Sequence, residues 1–174
     1  MTNPVRVMRA DITTVPADAL INAANSALAG GGGVDGAVHR SAGRTLADEL
    51  AAISGGCPPG HAVITGAGQL PVRYVIHAVG PIWRGGANGE EELLRSAYQS
   101  AFLLAAQHGC SNITSAAISM GIYGYPLMAG AKVAIGEALS AIERLGLAQI
   151  SFCVINDSTE AAFAAALGRP HLTG

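Results

Sequence analysis

Short runs of β-branched and other apolar residues alternate along the chain with longer alanine-rich segments whose apolar residues recur at helical spacing. The short runs predict strands at residues 5–8, 19–22, 61–65, 73–79, 112–119 and 149–155. The longer segments predict helices at residues 35–53, 90–108, 127–145 and 159–167. Strands that alternate with helices are typical of an α/β domain, and we expect a mixed sheet at its centre.

The length and composition fit one domain with a substantial core. The chain has 174 residues, of which 50% are hydrophobic and 13% are charged. The pattern shows no internal repeat, linker or low-complexity tail. We therefore expect a single domain over residues 1–174.

Charge and hydropathy exclude some classes of partner. Ten basic and twelve acidic residues give a formal net charge of -2, and the basic residues form no run. We therefore expect no direct binding to nucleic acid, and an anionic ligand would be held mostly by backbone amides. The N-terminus lacks a signal-peptide pattern and no apolar run reaches the roughly 18 residues of a membrane span, so we expect a cytoplasmic protein without membrane contact.

The potential metal ligands are scattered. Cys57, Cys110 and Cys153 are odd in number and far apart, which indicates reduced, packed thiols rather than a disulfide framework or a cysteine zinc site. The histidines show no zinc-binding spacing; they are His39, His61, His77, His108 and His171. We expect neither a metal nor a cofactor.

Two glycine-rich loops each follow a predicted strand and precede a predicted helix. The first is GGGGVDG at residues 30–36, and the second is SMGIYGYP at residues 119–126. Glycine lets backbone amides approach an anion, and a helix N-terminus adds its dipole. Two such loops indicate a ligand with two phosphates, although a single glycine run is more often only a flexible turn.

Other glycine and serine motifs fit less well. Gly31, Gly33 and Gly36 satisfy the dinucleotide pattern G-x-G-x-x-G, but Asp48 and Glu49 come too early for its ribose ligand and lie inside a predicted helix. No P-loop motif occurs, since Lys132 is the only lysine. No G-x-S-x-G motif of a serine esterase occurs either.

Longer segments carry a family resemblance. The segments ADIT (10–13), ALINAANSALAGGGGVDGAVHRSAG (19–43), GCPPGHAVITGAGQLPVRYVIHAVGP (56–81) and AISMGIYGYP (117–126) resemble the macrodomain family. The closest similarity is to its hydrolase branch, the O-acetyl-ADP-ribose deacetylases. The resemblance implies a three-layer α/β/α macrodomain with a central mixed sheet, whose cleft at the C-terminal ends of the strands holds ADP-ribose.

The resemblance also implies roles for individual residues. Asp11 would accept a hydrogen bond from the adenine amino group, with Ile12 beside it; the alternative for Asp11 is a turn or N-cap. Asn25 would bind the distal ribose and help to position the reacting centre, whereas Asn22 would bind ligand or serve only in a turn. The remaining ligand-binding residues implied are Gly31, Gly32, Gly33 and Val34 in the first loop and Ser119, Gly121, Ile122 and Tyr123 in the second.

Asp35 is the residue from which the resemblance leads us to expect catalysis. It directly follows the glycines, so its carboxylate could orient or activate a water at the distal ribose. The alternative is N-capping of the helix. His39 lies one helical turn later and could pair with Asp35, but a structural role suits it better than catalysis.

Three positions depart from the family pattern. Ala10 replaces a glycine, and Met120 replaces a small or polar residue. Ile155 stands where an aromatic residue often lies near the adenine. Adenine stacking is therefore expected to be weak or supplied by another residue.

The expected function is metal-independent hydrolysis of an ester at the distal ribose of ADP-ribose, with Asp35 and Asn25 as catalytic residues. The acyl group would be acetate or an acidic protein side chain, so the expected partners are ADP-ribose, its esters and mono-ADP-ribosylated proteins. Two alternatives remain open: a non-catalytic ADP-ribose reader, and a regulatory partner of an RNA-processing enzyme. Asp35 favours catalysis, because recognition alone does not need that carboxylate.

Overall fold

Residues 3–168, as described by a computed structural model, form six strands and five α-helices; His171 lies outside this range. The strands are β1 (Val5–Arg9), β2 (Ala19–Ala24), β3 (Ala62–Gly66), β4 (Tyr74–Val79), β5 (Asn112–Ser115) and β6 (Gln149–Val154). The helices are α1 (Gly33–Ala42), α2 (Arg44–Ala51), α3 (Glu90–Gln107), α4 (Leu127–Leu145) and α5 (Asp157–Ala166), and a short 3-10 helix spans Ile12–Thr14.

The strands form one mixed sheet, as the sequence predicts. Its order is β1-β6-β5-β2-β4-β3, with every neighbouring pair parallel except β3 with β4. Parallel strands bring their C-terminal ends to the same edge of a sheet, where ligands bind in open α/β folds. None of the helices within residues 3–168 combines the length and hydropathy needed to cross a membrane.

Helices cover both faces of the sheet, because alternate residues of each strand point to opposite sides. Ile21 and Ile76 belong to a core with the aromatic residues Tyr98 and Phe102 of α3 and Phe163 of α5. On the other face, the neighbouring strand residues Leu20 and Val75 share a core with Val38 of α1 and Leu46 of α2. The three-layer α/β/α fold is confirmed.

Two predicted boundaries are wrong for local backbone reasons. The helix predicted at 35–53 begins at Gly33 and divides into α1 and α2 at Gly43, whose φ of +87° lies in the left-handed region. The strand predicted at 112–119 ends at Ser115, and Ser119 has a φ of +65°. Apolar residues continue past the true end of each element, so the apolar pattern does not show where α1 or β5 stops.

The three cysteines are buried as free thiols, as the sequence predicts. Burial raises the pKa of each thiol, to about 11 for Cys153. A thiol with a raised pKa is a weak nucleophile at neutral pH. The cysteines are therefore packing residues.

The core beside α1 and α2 contains polar side chains from three adjacent strands. Asn22, Thr65 and His77 are all buried, and Asn22 lies opposite His77 in the parallel pairing of β2 with β4. Burial, together with the nearby His39, lowers the pKa of His77 from 6.5 to about 3. His77 is therefore a neutral core residue over the whole physiological pH range.

The buried His77 predicts a specific loss of stability in acid. Between pH 6.5 and about 3 the unfolded chain protonates this histidine and the folded chain does not, so the free energy of unfolding falls as the pH falls through that window. At about 1.4 kcal/mol per pKa unit, the loss between pH 7 and pH 5 is about 2 kcal/mol from this residue alone.

Urea unfolding of the wild type and of His77→Gln at pH 7 and pH 5 measures the effect. The variant should lose less stability between the two pH values, because glutamine does not titrate. Equal pH dependence in the two proteins would contradict the assignment of a neutral, buried His77.

Candidate active site

A cleft of about 720 Å³ lies where β1, β6, β5, β2 and β4 end. Each of these strands contributes at least one residue beyond its C-terminal end to the cleft wall. Of the residues predicted from the sequence, those lining the cleft are Asp11, Ile12, Asn25, Gly31, Gly32, Gly33, Val34, Asp35, Ser119, Gly121, Ile122 and Tyr123. The parallel sheet therefore gathers into one cavity residues that are more than 100 positions apart in the chain.

One end of the cleft is formed by the segments that follow β1 and β6. The Asp11 Oδ1 atom caps the 3-10 helix by accepting hydrogen bonds from Thr13 N at 3.0 Å and Thr13 Oγ1 at 2.7 Å. Asp11 thus has the predicted capping role and also lines the cleft, with an exposed carboxylate. Ile155 lies at the end of the adjacent strand with 65% of its surface exposed, so this end offers an aliphatic surface beside a carboxylate.

The first glycine loop folds tightly back onto α1. Gly33 has a φ of +58°, and a side chain at Gly36 would clash with the Gly31 carbonyl. Asn25 braces the loop from inside: its Nδ2 donates to Gly30 O at 2.8 Å, and its Oδ1 accepts from Ala29 N at 3.2 Å. The glycines therefore permit a defined loop conformation and not merely flexibility.

The second loop is also held by internal hydrogen bonds. Ser119 Oγ donates to Pro81 O at 2.7 Å, and Ser119 O accepts from Tyr125 N at 2.9 Å. The Ser119 side chain lies so close to Gly80 that a side chain at position 80 would clash with it. Ser119 therefore fixes the loop through its side chain, which leaves Gly121, Ile122 and Tyr123 to face the cleft.

The two loops approach each other across the cleft. Ile122 is 84% exposed, and a methyl group added at Gly32 would lie 3.6 Å from Ile122 Cδ1. Gly31, Gly32 and Gly33 are themselves exposed. A ligand bound across the middle of the cleft would thus contact backbone from both loops.

Asp35 lies in the first turn of α1 and is only 8% exposed. Gly32 is the N-cap, so the predicted alternative of N-capping by Asp35 is wrong. The Asp35 Oδ1 atom accepts from Asn22 Nδ2 at 2.8 Å and lies 3.3 Å from His39 Nε2. Its Oδ2 atom faces the glycine loop, since a methyl group at Gly31 would lie 3.6 Å from that oxygen and 3.7 Å from Asn25 Nδ2.

Asn22 occupies a different place from the one predicted for a ligand-binding residue. Its side chain is fully buried, does not line the cleft and donates to Asp35 Oδ1 from below. Asn22 does not reach the cleft because its side chain points into the core between the sheet and α1. It therefore supports the carboxylate instead of contacting a ligand.

His39 makes the contact expected from its spacing to Asp35. Its ring is also packed edge-on to the His77 ring, with centroids 6.4 Å apart. The His39 ring thus packs against His77 and directs Nε2 toward Asp35. Both contacts fit the structural role that the sequence favours.

Several residues near the site are not predicted from the sequence. Thr65 and His77 lie under it, and Cys153, Asn156 and Thr159 line the cleft beside Asp11 and Ile155. A histidine within the otherwise apolar strand YVIHAV is a pattern that could have identified His77. Asn156 caps α5 by accepting from Thr159 N at 2.9 Å, and its spacing to Thr159 is typical of a helix start.

The chemistry available in the cleft follows from these groups. Backbone and apolar surface dominate the middle, and a carboxylate lies near each end. Within residues 3–168 no group of three or more histidine, cysteine, aspartate or glutamate side chains is arranged to hold a metal. The cleft therefore offers exposed backbone in its middle and the Asp35 carboxylate beside the first glycine loop.

Comparisons with known proteins identify the family. The family model described as the Macro domain matches residues 21–134. The O-acetyl-ADP-ribose deacetylase of Citrobacter rodentium is 48% identical over 163 residues, which cover 91% of this chain and 92% of that protein. The O-acetyl-ADP-ribose deacetylase of Escherichia coli is 43% identical over 164 residues, which cover 92% of this chain and 93% of that protein.

Solved macrodomain structures have the same fold. The Oceanobacillus iheyensis macrodomain with ADP has a TM-score of 0.86 and 33% identity, covering 93% of this chain and 88% of that one. The Trypanosoma brucei macrodomain in complex with ADP-ribose has a TM-score of 0.88 and 36% identity, covering 95% of this chain and 69% of that one. The chain belongs to the macro domain family.

Proposed function

We propose that this macro domain binds ADP-ribose and hydrolyses esters at its distal ribose, including O-acetyl-ADP-ribose and mono-ADP-ribose attached to acidic protein side chains. The observation that carries the proposal is the Asp35 carboxylate, which is held through Oδ1 and faces the glycine loop and Asn25 with Oδ2. Relatives that are 43% and 48% identical over most of their length are O-acetyl-ADP-ribose deacetylases, which supports hydrolysis.

The two ends of the cleft differ in chemistry, and this difference sets the proposed orientation of ADP-ribose. Asp11 can accept from the adenine amino group, and Ile155 offers an aliphatic surface beside the ring. The exposed backbone between the two loops suits the diphosphate, which the N-terminus of α1 also favours. This orientation brings the distal ribose to Asn25, Tyr123 and Asp35.

The proposed reaction uses water as the nucleophile. Asp35 Oδ2 orients a water molecule and accepts its proton as the oxygen attacks the acyl carbon. Cleavage of the ester bond then releases a carboxylic acid and returns a proton to the ribose oxygen. These steps need groups on this chain and water, without an oxidant, a reductant or a bound cation.

The shape of the cleft also supports substrates with a larger acyl group than acetyl. Asp35 lies beside Gly31, at the edge of the loop segment assigned to the diphosphate, and Ile122 across the cleft is 84% exposed, so this side of the cleft is open to solvent. A ribose ester in this position could extend outward along the rim. An ADP-ribosylated glutamate or aspartate of another protein is therefore a suitable substrate.

Replacement of Asp35 separates catalysis from binding. We expect Asp35→Ala to lower the single-turnover rate for both ester substrates by about 100-fold or more, the scale of a positioned general base. Affinity for ADP-ribose should stay within about threefold, because the carboxylate acts on water and not on the ligand. Asp48→Ala, which removes an exposed carboxylate from α2, is the matched control and should keep the wild-type rate.

Two further variants in the same experiment divide the site by role. Gly32→Glu should abolish binding, because it places bulk and negative charge between the loops. Asn25→Ala should lose both rate and affinity, because its amide braces the first loop. Calorimetry measures ADP-ribose binding by each protein, and circular dichroism confirms that each is folded. A wild type that binds ADP-ribose but releases no acid from either ester would favour the alternative of a non-catalytic reader.

Asp11 is expected to select the base. We expect Asp11→Ala to weaken ADP-ribose binding by about 1.5 to 3 kcal/mol, the range for a hydrogen bond to a charged group. Calorimetry should compare ADP-ribose with its inosine analogue, in which a carbonyl replaces the amino group. The wild type should prefer ADP-ribose and the variant should lose that preference; an unchanged dissociation constant in a folded variant would remove Asp11 from the site.

A further inference from the structure

A chain of polar contacts runs beneath the cleft from the edge of the sheet to Asp35. Thr65 Oγ1 donates to Gly66 O at 2.8 Å and lies 3.0 Å from His77 Nε2. His77 Nδ1 lies 3.4 Å from Asn22 Nδ2, which donates to Asp35 Oδ1 at 2.8 Å. The contacts thus cross β3, β4 and β2 and end on α1.

The donor and the acceptor of each contact in this series can be assigned from the chemistry of the groups. A backbone carbonyl can only accept, so the single Thr65 hydroxyl proton is given to Gly66 O. The hydroxyl oxygen must then accept from His77 Nε2–H. His77 is neutral at this site, so its Nδ1 carries no proton and accepts from Asn22.

The bare Nδ1 of His77 fixes the amide of Asn22. If the amide were reversed, its oxygen would face the Asp35 carboxylate and His77 Nδ1, both of which are acceptors. Asn22 Oδ1 is buried and has no hydrogen-bond partner within residues 3–168, so its two Nδ2 contacts determine the orientation of the amide. The unprotonated Nδ1 of His77 therefore keeps Asn22 Nδ2, and not Asn22 Oδ1, directed at the Asp35 carboxylate.

The amide in turn determines which carboxylate oxygen is available to a ligand. Asn22 Nδ2 and His39 Nε2 both approach Oδ1 of Asp35 from the protein interior. Oδ2 is left facing Gly31 and Asn25 at the cleft. Loss of the Asn22 hydrogen bond would free the carboxylate to rotate away from this arrangement.

We propose that Thr65 and His77 are positioning residues of the active site, which act through Asn22 to hold the Asp35 carboxylate with Oδ2 directed at the attacking water. This inference rests on the proposed hydrolysis by Asp35. Neither residue lines the cleft, so neither is placed to contact a ligand directly. This role accounts for the presence of polar side chains in the core. Apolar residues at these positions would avoid the buried Asn22 Oδ1 atom, which has no hydrogen-bond partner within residues 3–168.

The pair Thr65→Val and Thr65→Ser tests this role with little change in volume. Valine keeps the shape but removes the acceptor for His77 Nε2–H, whereas serine keeps the hydroxyl and loses only a methyl group. We expect Thr65→Val to lower the single-turnover rate by about tenfold, as for other residues that orient a functional group from behind. Thr65→Ser should retain at least half of the wild-type rate, and both variants should bind ADP-ribose with wild-type affinity.

The tautomer of His77 provides a readout independent of activity. Long-range proton–nitrogen correlation spectra of protein with labelled histidine should show His77 protonated on Nε2 in the wild type and in Thr65→Ser. Thr65→Val should shift the tautomer toward Nδ1–H, because that variant removes the partner of Nε2. An Nδ1–H tautomer in the wild type would overturn the proposed direction of the contacts. An unchanged tautomer in Thr65→Val would show that Thr65 does not set the tautomer, and the positioning role proposed for Thr65 would be wrong.

Asp35→Ala separates failure of this inference from failure of the proposed function. Combined with Thr65→Val, it should be no slower than Asp35→Ala alone, because Thr65 acts only through that carboxylate. If Asp35→Ala is inactive but Thr65→Val turns over at the wild-type rate, the positioning role is wrong while the hydrolytic function stands. If Asp35→Ala turns over at the wild-type rate, the proposed function is wrong and the inference fails with it.

Discussion

The parallel pairing of β2 with β4 on one side and β5 on the other is the constraint on which the site depends. This register places Asn22 beside His77 and directs the segments after β2 and β5 to the same edge of the sheet. The first segment leads to Asp35 and the second forms the loop with Ile122. A shift of one residue would turn Asn22 to the opposite face and leave Asp35 without its donor.

Much of the fold can be predicted from the sequence because its helices and strands have strong periodicity and several of their ends carry a clear residue signal. Helix α4 begins after Pro126 and stops at Gly146 with a φ of +70°, as the two residue types indicate. The division at Gly43 is less readable, because a glycine inside an apolar helical pattern is compatible with either a continuous helix or a break. Gly43 N donates the last helical hydrogen bond of α1, to His39 O. A tertiary contact favours the break, because Ala42 O accepts from Gln69 N.

The site is predictable to the extent that its residues lie in contiguous motifs. The two glycine loops stand out in the residue pattern itself, whereas the expected roles of Asp11 and Asp35 come from the family resemblance. The structure brings all of them to one cleft. The division of labour between Asn22 and Asn25 is not readable, since both amides lie in the motif NAAN and only their three-dimensional directions differ. Asn22 points into the core and Asn25 toward the loop, so the same side-chain chemistry braces a carboxylate in one case and a backbone turn in the other.

The antiparallel strand β3 lies at the edge of the sheet, with β4 as its neighbour in the strand order. Edge strands open more readily than central ones, because fewer hydrogen bonds must break. Thr65 belongs to this strand, and its hydroxyl is the outermost partner in the polar contacts that reach Asp35. If β3 frays and Thr65 moves away from His77, the positioning role proposed for these two residues implies a change in how the Asp35 carboxylate is held. The local stability of an edge strand would then influence the reactivity of the cleft.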